Sequence, residues 1–401
     1  MSARSSARVA VIGCGWWSTY THIPGLKEYE HADLVALCDA DEARLRAAAE
    51  RYGVDKTYRS VDDLLAGERL DAAVVATYHA THYEVARKCL DAGLHVMIEK
   101  PMVLEAAQGR DLLERARARG REIVVGYPWH YTTIARRARE LVTSGQLGPV
   151  QFVASLFASM VVEFYRGNPE AYRPVFQYPV TGPSRRTYSD ASLAGGGQGH
   201  LQVTHAAGLL FFVTGLRAAR VGAFMERFDV PVDLVDAISA RFAPAGYPAG
   251  GGMAYPGAVG VVGSTGNIGV GDGGQHDLRV YCRDGYVLLD MAGGTLTVKR
   301  HDGAPSGLET APSGLETAPS GLETAPPGLE TAPEELGRLD PDDRYPRFAT
   351  ARNLVDVVLG RAPNGSPGEV GLRTVELLEA AYRSAAQGGA PVAVEDARVA
   401  P

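Results

Sequence analysis

The sequence predicts an α/β chain in two parts. An N-terminal parallel sheet is wrapped by helices, and a C-terminal α+β part is built on a large, mostly antiparallel open sheet. Three observations carry this. Up to residue 126, short apolar runs alternate with stretches of helical period, the rhythm of βαβ units. After Gly148-Pro149 the apolar runs crowd together. They are joined by Gly-rich turns such as Asp284-Gly285 and Gly293-Gly294, which suit hairpins. The 401 residues are too many for one ordinary domain and suit two, divided here as 1–126 and 127–401.

In the first part the expected strands are Ala7–Ile12, Leu34–Cys38, Ala72–Ala76, His95–Ile98 and Ile123–Gly126. The helices between them are Asp41–Tyr52, Val61–Leu65, His82–Asp91 and Glu105–Arg119, each with apolar residues at helical spacing. In the second part the strands are Val150–Ser159, Ala219–Phe228, Ala237–Phe242, Ala258–Gly263, Asp277–Cys282, Tyr286–Asp290 and Leu296–Arg300. A helix at Leu201–Leu210 interrupts them, and helices at Arg347–Leu359 and Glu369–Ala386 follow. Between these, Ala304–Thr331 repeats Ala-Pro-Ser-Gly-Leu-Glu-Thr four times, with Pro327 replacing one Ser. Pro and Gly in every unit forbid a helical seam, so the segment reads as a flexible insertion in a surface loop.

Hydrophobic residues make up 45% and charged residues 22%, ordinary for a soluble protein, and the net charge of -7 argues against nucleic-acid or anionic-membrane partners. No apolar run is long enough to span a bilayer, and the N-terminus lacks the apolar core of a signal peptide. The four cysteines form no CxxC pair and no metal-ligand spacing, as expected of reduced thiols in a cytoplasmic protein without a metal.

Gly13-Cys14-Gly15-Trp16-Trp17-Ser18 follows the first strand and fits the glycine turn of a dinucleotide-binding Rossmann domain. Gly13 allows the tight turn and Gly15 the close approach of a pyrophosphate to a helix N-terminus. Asp39, after the second strand, stands where a carboxylate meets the adenosine ribose. With Ala40 and Asp41 beside it, NAD is favoured over NADP, although Arg44 could partly offset the repulsion of a 2′-phosphate. Trp16 and Trp17 either cover the core or wall the cofactor cleft. Glu99-Lys100-Pro101 ends the strand His95–Ile98, which sets an ammonium at the ligand-binding edge of the sheet. A cradle and a lysine in this order point to a nicotinamide enzyme acting on an alcohol or a carbonyl.

Together the glycine turn, the Ala92-Gly93…Glu99-Lys100-Pro101 block and Gly195-Gly196-Gly197…His205 resemble the glucose–fructose oxidoreductase / inositol dehydrogenase / rhizopine-catabolism (Gfo/Idh/MocA) family. The resemblance implies hydride transfer at a carbinol of a sugar or cyclitol. It implies an open C-terminal sheet that joins homodimers or homotetramers. It also implies that Lys100 contacts cofactor and substrate, with Glu99 beside it, and that His205 transfers the proton. Histidine's pKa suits that exchange, and a neighbouring ammonium stabilises an alkoxide.

The sequence departs from the family at several points. Leu201 stands where the family often has an aspartate, leaving His200 and Gln202 as possible substrate contacts. Thr77-Tyr78-His79-Ala80-Thr81-His82 replaces the usual Thr-Pro-Asn, with Thr77, His79 and His82 as candidate cofactor contacts and His82 also starting a helix. Pro128-Trp129-His130 replaces the usual Asn and Arg, so that Trp129 could stack on a pyranose ring. Tyr172, Arg173, Arg185, Arg186 and Tyr188 are candidate rim contacts. The expectation is therefore an NAD-dependent sugar, glycoside or cyclitol dehydrogenase. The alternatives are a redox-neutral enzyme that retains its NAD and a non-catalytic nucleotide sensor.

Overall fold

The computed structural model describes residues 5–244, 257–301 and 334–394. The repeat at 304–331 lies outside them. In the first part the chain runs β1 (Ala7–Ile12), α1 (Ile23–Lys27), β2 (Ala32–Cys38), α2 (Glu42–Tyr52), β3 (Lys56–Tyr58), α3 (Val61–Gly67), β4 (Ala72–Val75), α4 (His82–Asp91), β5 (His95–Ile98), α5 (Ala106–Ala118) and β6 (Ile123–Val125). The six strands are all parallel, in the order β3-β2-β1-β4-β5-β6. Continuous apolar strands are what a sheet covered on both faces requires, and β4 is buried at every position. Side-chain caps start α2 and α3. Asp41 accepts from the Arg44 amide and Ser60 from the Asp63 amide, each contact worth about 0.5–2 kcal/mol.

The second part continues with α6 (Thr133–Thr143), β7 (Val150–Ala158), two short helical turns α7 (Val162–Tyr165) and α8 (Ala191–Ala194), α9 (Thr204–Thr214), and β8 (Leu216–Glu226). Then come β9 (Val235–Pro244), β10 (Val259–Thr265), β11 (Gln275–Cys282), β12 (Gly285–Asp290), β13 (Thr295–Arg300), β14 (Glu334–Arg338), α10 (Ala349–Val358), α11 (Gly368–Ala386) and β15 (Val392–Ala393). The nine strands form one sheet, β14-β13-β12-β11-β7-β10-β9-β8-β15, antiparallel except for the β7–β10 pair. Helices α6, α9 and α11 cover its inner face, and α9 is buried at every position. The outer face carries half-exposed Phe152, Leu156, Val259, Val261 and Phe224.

Several boundaries differ from the sequence reading. Helix α6 was not foreseen, although Ile134, Ala135, Ala138, Leu141 and Val142 form its buried stripe and Thr132 caps it. Strand β11 begins at Gln275 rather than Asp277, which brings His276 into the sheet. The division at 126/127 is not a clean one. Helix α10 returns to the first sheet, where Ala351, Leu354 and Val355 join the core of Val9, Val11, Leu37 and Val74. No helix among the described residues is long and apolar enough to cross a membrane.

Candidate active site

A cleft of about 790 Å³ lies between the two sheets, at the C-terminal ends of the parallel strands. Gly13 follows β1, Asp39 follows β2, Ala76 and Thr77 follow β4, and Glu99-Lys100 follows β5; all line the cleft. Gly13 has φ +95°, and a Cβ there would run into the Ala76 carbonyl. Gly15 has nothing within 4 Å of a Cβ position, so its open side faces free space. A turn closed on one side and open on the other fits a pyrophosphate, and these residues fit a dinucleotide.

Asp39 does more for this turn than its position suggests. Its Oδ2 accepts from the Cys14 amide at 2.7 Å and its Oδ1 from the Asp41 amide at 2.9 Å. Arg44 Nη1 also reaches Oδ2, at 3.4 Å. The carboxylate therefore pins the cradle and still has lone pairs for a ribose. Ala40 and Arg44 line the same end. His79 Nδ1 lies 2.9 Å from the Ala194 carbonyl, which makes it the donor and leaves Nε2 as an acceptor. Burial, helped by the charges of His82 and Lys100, keeps this ring neutral. His82 does not line the cleft. It is buried, with its ring nitrogens 2.9 and 3.2 Å from the Pro101 and Thr77 carbonyls, and so braces the loops that carry Thr77 and Lys100.

The two tryptophans tie the halves together. Trp16 Nε1 donates to the Tyr188 hydroxyl at 2.9 Å, and its ring packs among Phe164, Phe176 and Tyr178 of the second part. Trp17 Nε1 donates to Glu99 Oε1 at 3.0 Å, the oxygen that also meets His22 Nε2 at 2.8 Å. Burial raises the Glu99 pKa, but the His22 contact and the Lys100 charge outweigh it and hold the carboxylate below its usual range.

Lys100 donates from Nζ to the Leu201 carbonyl at 2.9 Å. The backbone of Leu201 thus meets the lysine where the family often offers an aspartate. Burial lowers the ammonium pKa to about 8, against the opposing pull of Glu99. His205 sits one turn beyond, on α9, against Trp129 (ring centroids 5.0 Å), Phe157 (6.2 Å) and Tyr127 (6.0 Å). Its Nδ1 is buried without a partner. Burial, then the charge of Lys100, holds its pKa well below the usual imidazole value. Gln202 and Trp129 complete this end together with Phe157, His276 and Tyr345, which sequence reasoning missed.

Three expected substrate residues do not reach the cleft. Tyr172 is 1% exposed in an apolar cluster, its hydroxyl accepting from the Glu163 amide. Arg173 pairs with Glu170 on the surface. His200 stacks on Tyr382 and bonds its hydroxyl at 3.1 Å, because five residues of helix turn it away from His205. Of the other rim candidates Tyr188 lines the cleft, whereas Arg185 and Arg186 do not.

The six-stranded parallel sheet and its cleft are those of an α/β protein, with a glycine turn of the kind that cradles a dinucleotide and with Lys100 and His205 lining the same cleft. Residues 7–127 match the family described as "Oxidoreductase family, NAD-binding Rossmann fold", so this segment is similar to the Gfo/Idh/MocA oxidoreductases. It resembles D-apiose dehydrogenase of Paraburkholderia graminis, 30% identical over 139 residues, 35% of this chain and 37% of that one. D-glucoside 3-dehydrogenase of Escherichia coli is 31% identical over 146 residues, 36% of this chain and 42% of that one. The chain thus spans about two fifths of the length of the curated relatives it matches. The whole fold is similar to the crystal structure of GenD2 from gentamicin A biosynthesis in complex with NAD. The TM-score is 0.70 at 25% identity, covering 99% of this chain and 98% of that one.

Proposed function

We propose that the protein is an NAD-dependent oxidoreductase acting on a secondary alcohol or ketone of a sugar, glycoside or cyclitol. The observation that carries this is that Lys100 and His205 line the same cleft as the glycine cradle, close enough for the lysine's charge to act on the imidazole. Gly13, Gly15, Asp39, Thr77 and His79 would hold a dinucleotide, and when bound it supplies the hydride acceptor or donor. Asp39 favours NAD over NADP by placing a carboxylate where a 2′-phosphate would stand. The names of the two relatives, an apiose and a glucoside dehydrogenase, support a carbohydrate.

The side chains divide the work. His205, neutral, accepts the hydroxyl proton. Its protonated form is disfavoured by burial and by Lys100, so it is a weak base on its own. The Lys100 ammonium compensates by stabilising the developing alkoxide, which lowers the hydroxyl's own pKa. Trp129, Phe157 and Tyr345 exclude water from the reacting carbon. The half-exposed apolar residues on the outer face of the nine-stranded sheet support a homodimer or homotetramer through that face, which light scattering on the eluting protein would test. A cytoplasmic setting fits the four free, buried thiols.

The test is NADH formation with a panel of neutral sugars, glycosides and cyclitols. Turnover of none, with NADH still bound, would leave the chain a nucleotide sensor. A second reading is favoured by the Trp16–Tyr188 bond, which fastens one wall of the cleft across the cradle. If that clamp retains NAD through purification, the chemistry is redox-neutral, and the absorbance of the isolated protein would reveal it.

A further inference from the structure

His276 is a buried imidazole with nothing to bond. It lies on β11 directly opposite Phe157 of β7, and its ring is 3% exposed at the wall of the cleft. Neither Nδ1 nor Nε2 has a hydrogen-bond partner among the described residues. Its neighbours are the Trp129 indole at 4.4 Å and the Phe157 ring at 4.6 Å, neither of which can accept a normal hydrogen bond in its plane. The Trp129 N–H is itself taken by the Arg344 carbonyl at 3.0 Å. An imidazole kept only for packing would be better replaced by a leucine or phenylalanine, since an unsatisfied buried polar group costs free energy. A structural histidine elsewhere in this chain finds a partner for each ring nitrogen: those of His82 lie 2.9 and 3.2 Å from the Pro101 and Thr77 carbonyls. Trp129 has His205 against it at 5.0 Å as well, so His276 and His205 flank one indole at the substrate end.

We propose that His276 is a substrate-recognition residue, whose neutral imidazole hydrogen-bonds a second hydroxyl of a neutral polyol while the first reacts at Lys100 and His205. The chemistry matches. A neutral imidazole offers one donor and one acceptor, and a hydroxyl is both. Burial holds the ring neutral, pushing its pKa down to about 3, so it has no charge with which to select an anion. No carboxylate or arginine lines this end beyond Glu99, which is already engaged by Trp17 and His22. The site therefore asks for hydroxyls. The proposal rests on the oxidoreductase reading for the reacting carbon, but the bond to His276 stands independently of turnover.

Two measurements on the full-length, NAD-loaded protein test it. The first is NADH formation with myo-inositol, methyl α-D-glucopyranoside and the monodeoxy derivatives of the glucoside, in the wild type, His276→Leu and His276→Gln. Removal of one hydroxyl should lower wild-type kcat/KM by about ten- to a hundred-fold. The same removal should cost nothing further in His276→Leu, and His276→Gln should restore part of the discrimination. Deoxy penalties that persist undiminished in His276→Leu would overturn the proposal. The second follows the ring nitrogens of His276 by nitrogen NMR of histidine-labelled wild type as each polyol is added. If no polyol is turned over, the oxidoreductase reading falls and this arm decides alone. A shifted His276 signal sustains the hydroxyl contact, and a signal unmoved by every polyol overturns it.

Discussion

The two ends of the cleft satisfy their polar groups differently. At the cradle end the polar groups after β2 and β4 already have protein partners. Asp39 holds the Cys14 and Asp41 amides, and His79 the Ala194 carbonyl. At the substrate end His205 Nδ1 and both nitrogens of His276 are buried and unpartnered, among aromatic rings. The first end is built before its ligand arrives, and the second is left incomplete. A preorganised cradle binds a cofactor without reorganising, whereas orphaned imidazoles gain most from a ligand that completes them.

The sharpest way to break this comparison is at the lysine–histidine pair. Lys100→Met and His205→Ala should each slow hydride transfer by about a hundred- to ten-thousand-fold. Cofactor affinity should change little, because the cradle's bonds lie elsewhere. Single-turnover absorbance at saturating NAD checks the rate, and NADH fluorescence titration checks the affinity. Because the weak base depends on the ammonium, the double variant should lose scarcely more than either single one. Fully additive losses would mean that the two groups act on different atoms.

The same contrast explains what the sequence could tell. The cradle was legible because its parts are local. A glycine turn after β1, an acid after β2 and a lysine after β5 stand at spacings set by the βαβ unit itself. The substrate end is assembled from the turn at Trp129, strand β7 with Phe157, helix α9 with His205, strand β11 with His276, and Tyr345 ahead of α10. No periodicity links these positions. His276 was missed because the strand was begun two residues too late, at Asp277. Tyr172 and Arg173 were expected at the rim because their segment is polar. Only packing shows that Tyr172 turns inward and Arg173 outward. Helix α6, by contrast, was legible in its apolar spacing and went unread.

Within the cradle, two glycines separate folding from binding. Gly13→Ala places a side chain at φ +95° and against the Ala76 carbonyl, so it should lower stability by at least about 1–3 kcal/mol, read as a drop in melting temperature. Gly15→Ala meets no protein atom within 4 Å, so the melting temperature should hold. NADH affinity should nonetheless fall by about tenfold, equivalent to about 1.4 kcal/mol. An unchanged affinity in Gly15→Ala would show that the pyrophosphate does not approach here.

A gentler probe is pH. Below about pH 8 Lys100 carries its proton, and above that value it loses it. His205 stays neutral across this range, because burial first and the charge of Lys100 next keep its pKa low. Alcohol oxidation should therefore be flat on the neutral side and fall through about pH 8, approaching tenfold per unit. A rate that instead rises through pH 8 would transfer the role of base to Lys100 itself.

The smallest expected effect concerns cofactor choice, and it sharpens the comparison most, because it asks whether a group already satisfied by the protein still selects a ligand. Asp39→Asn keeps an acceptor for the Cys14 amide and removes the charge. If the carboxylate repels a 2′-phosphate, the variant should bind NADPH several-fold more tightly than the wild type does. NADH should weaken by less than about tenfold, the scale of one ribose hydrogen bond. Arg44 opposes this preference, since it lies 3.4 Å from the Asp39 carboxylate and lines the same end of the cleft. Arg44→Gln should therefore shift selectivity the other way, weakening NADPH more than NADH. The two variants together place the balance: wild-type preference for NADPH would mean that the guanidinium prevails. Asp39 would then serve only to hold the turn.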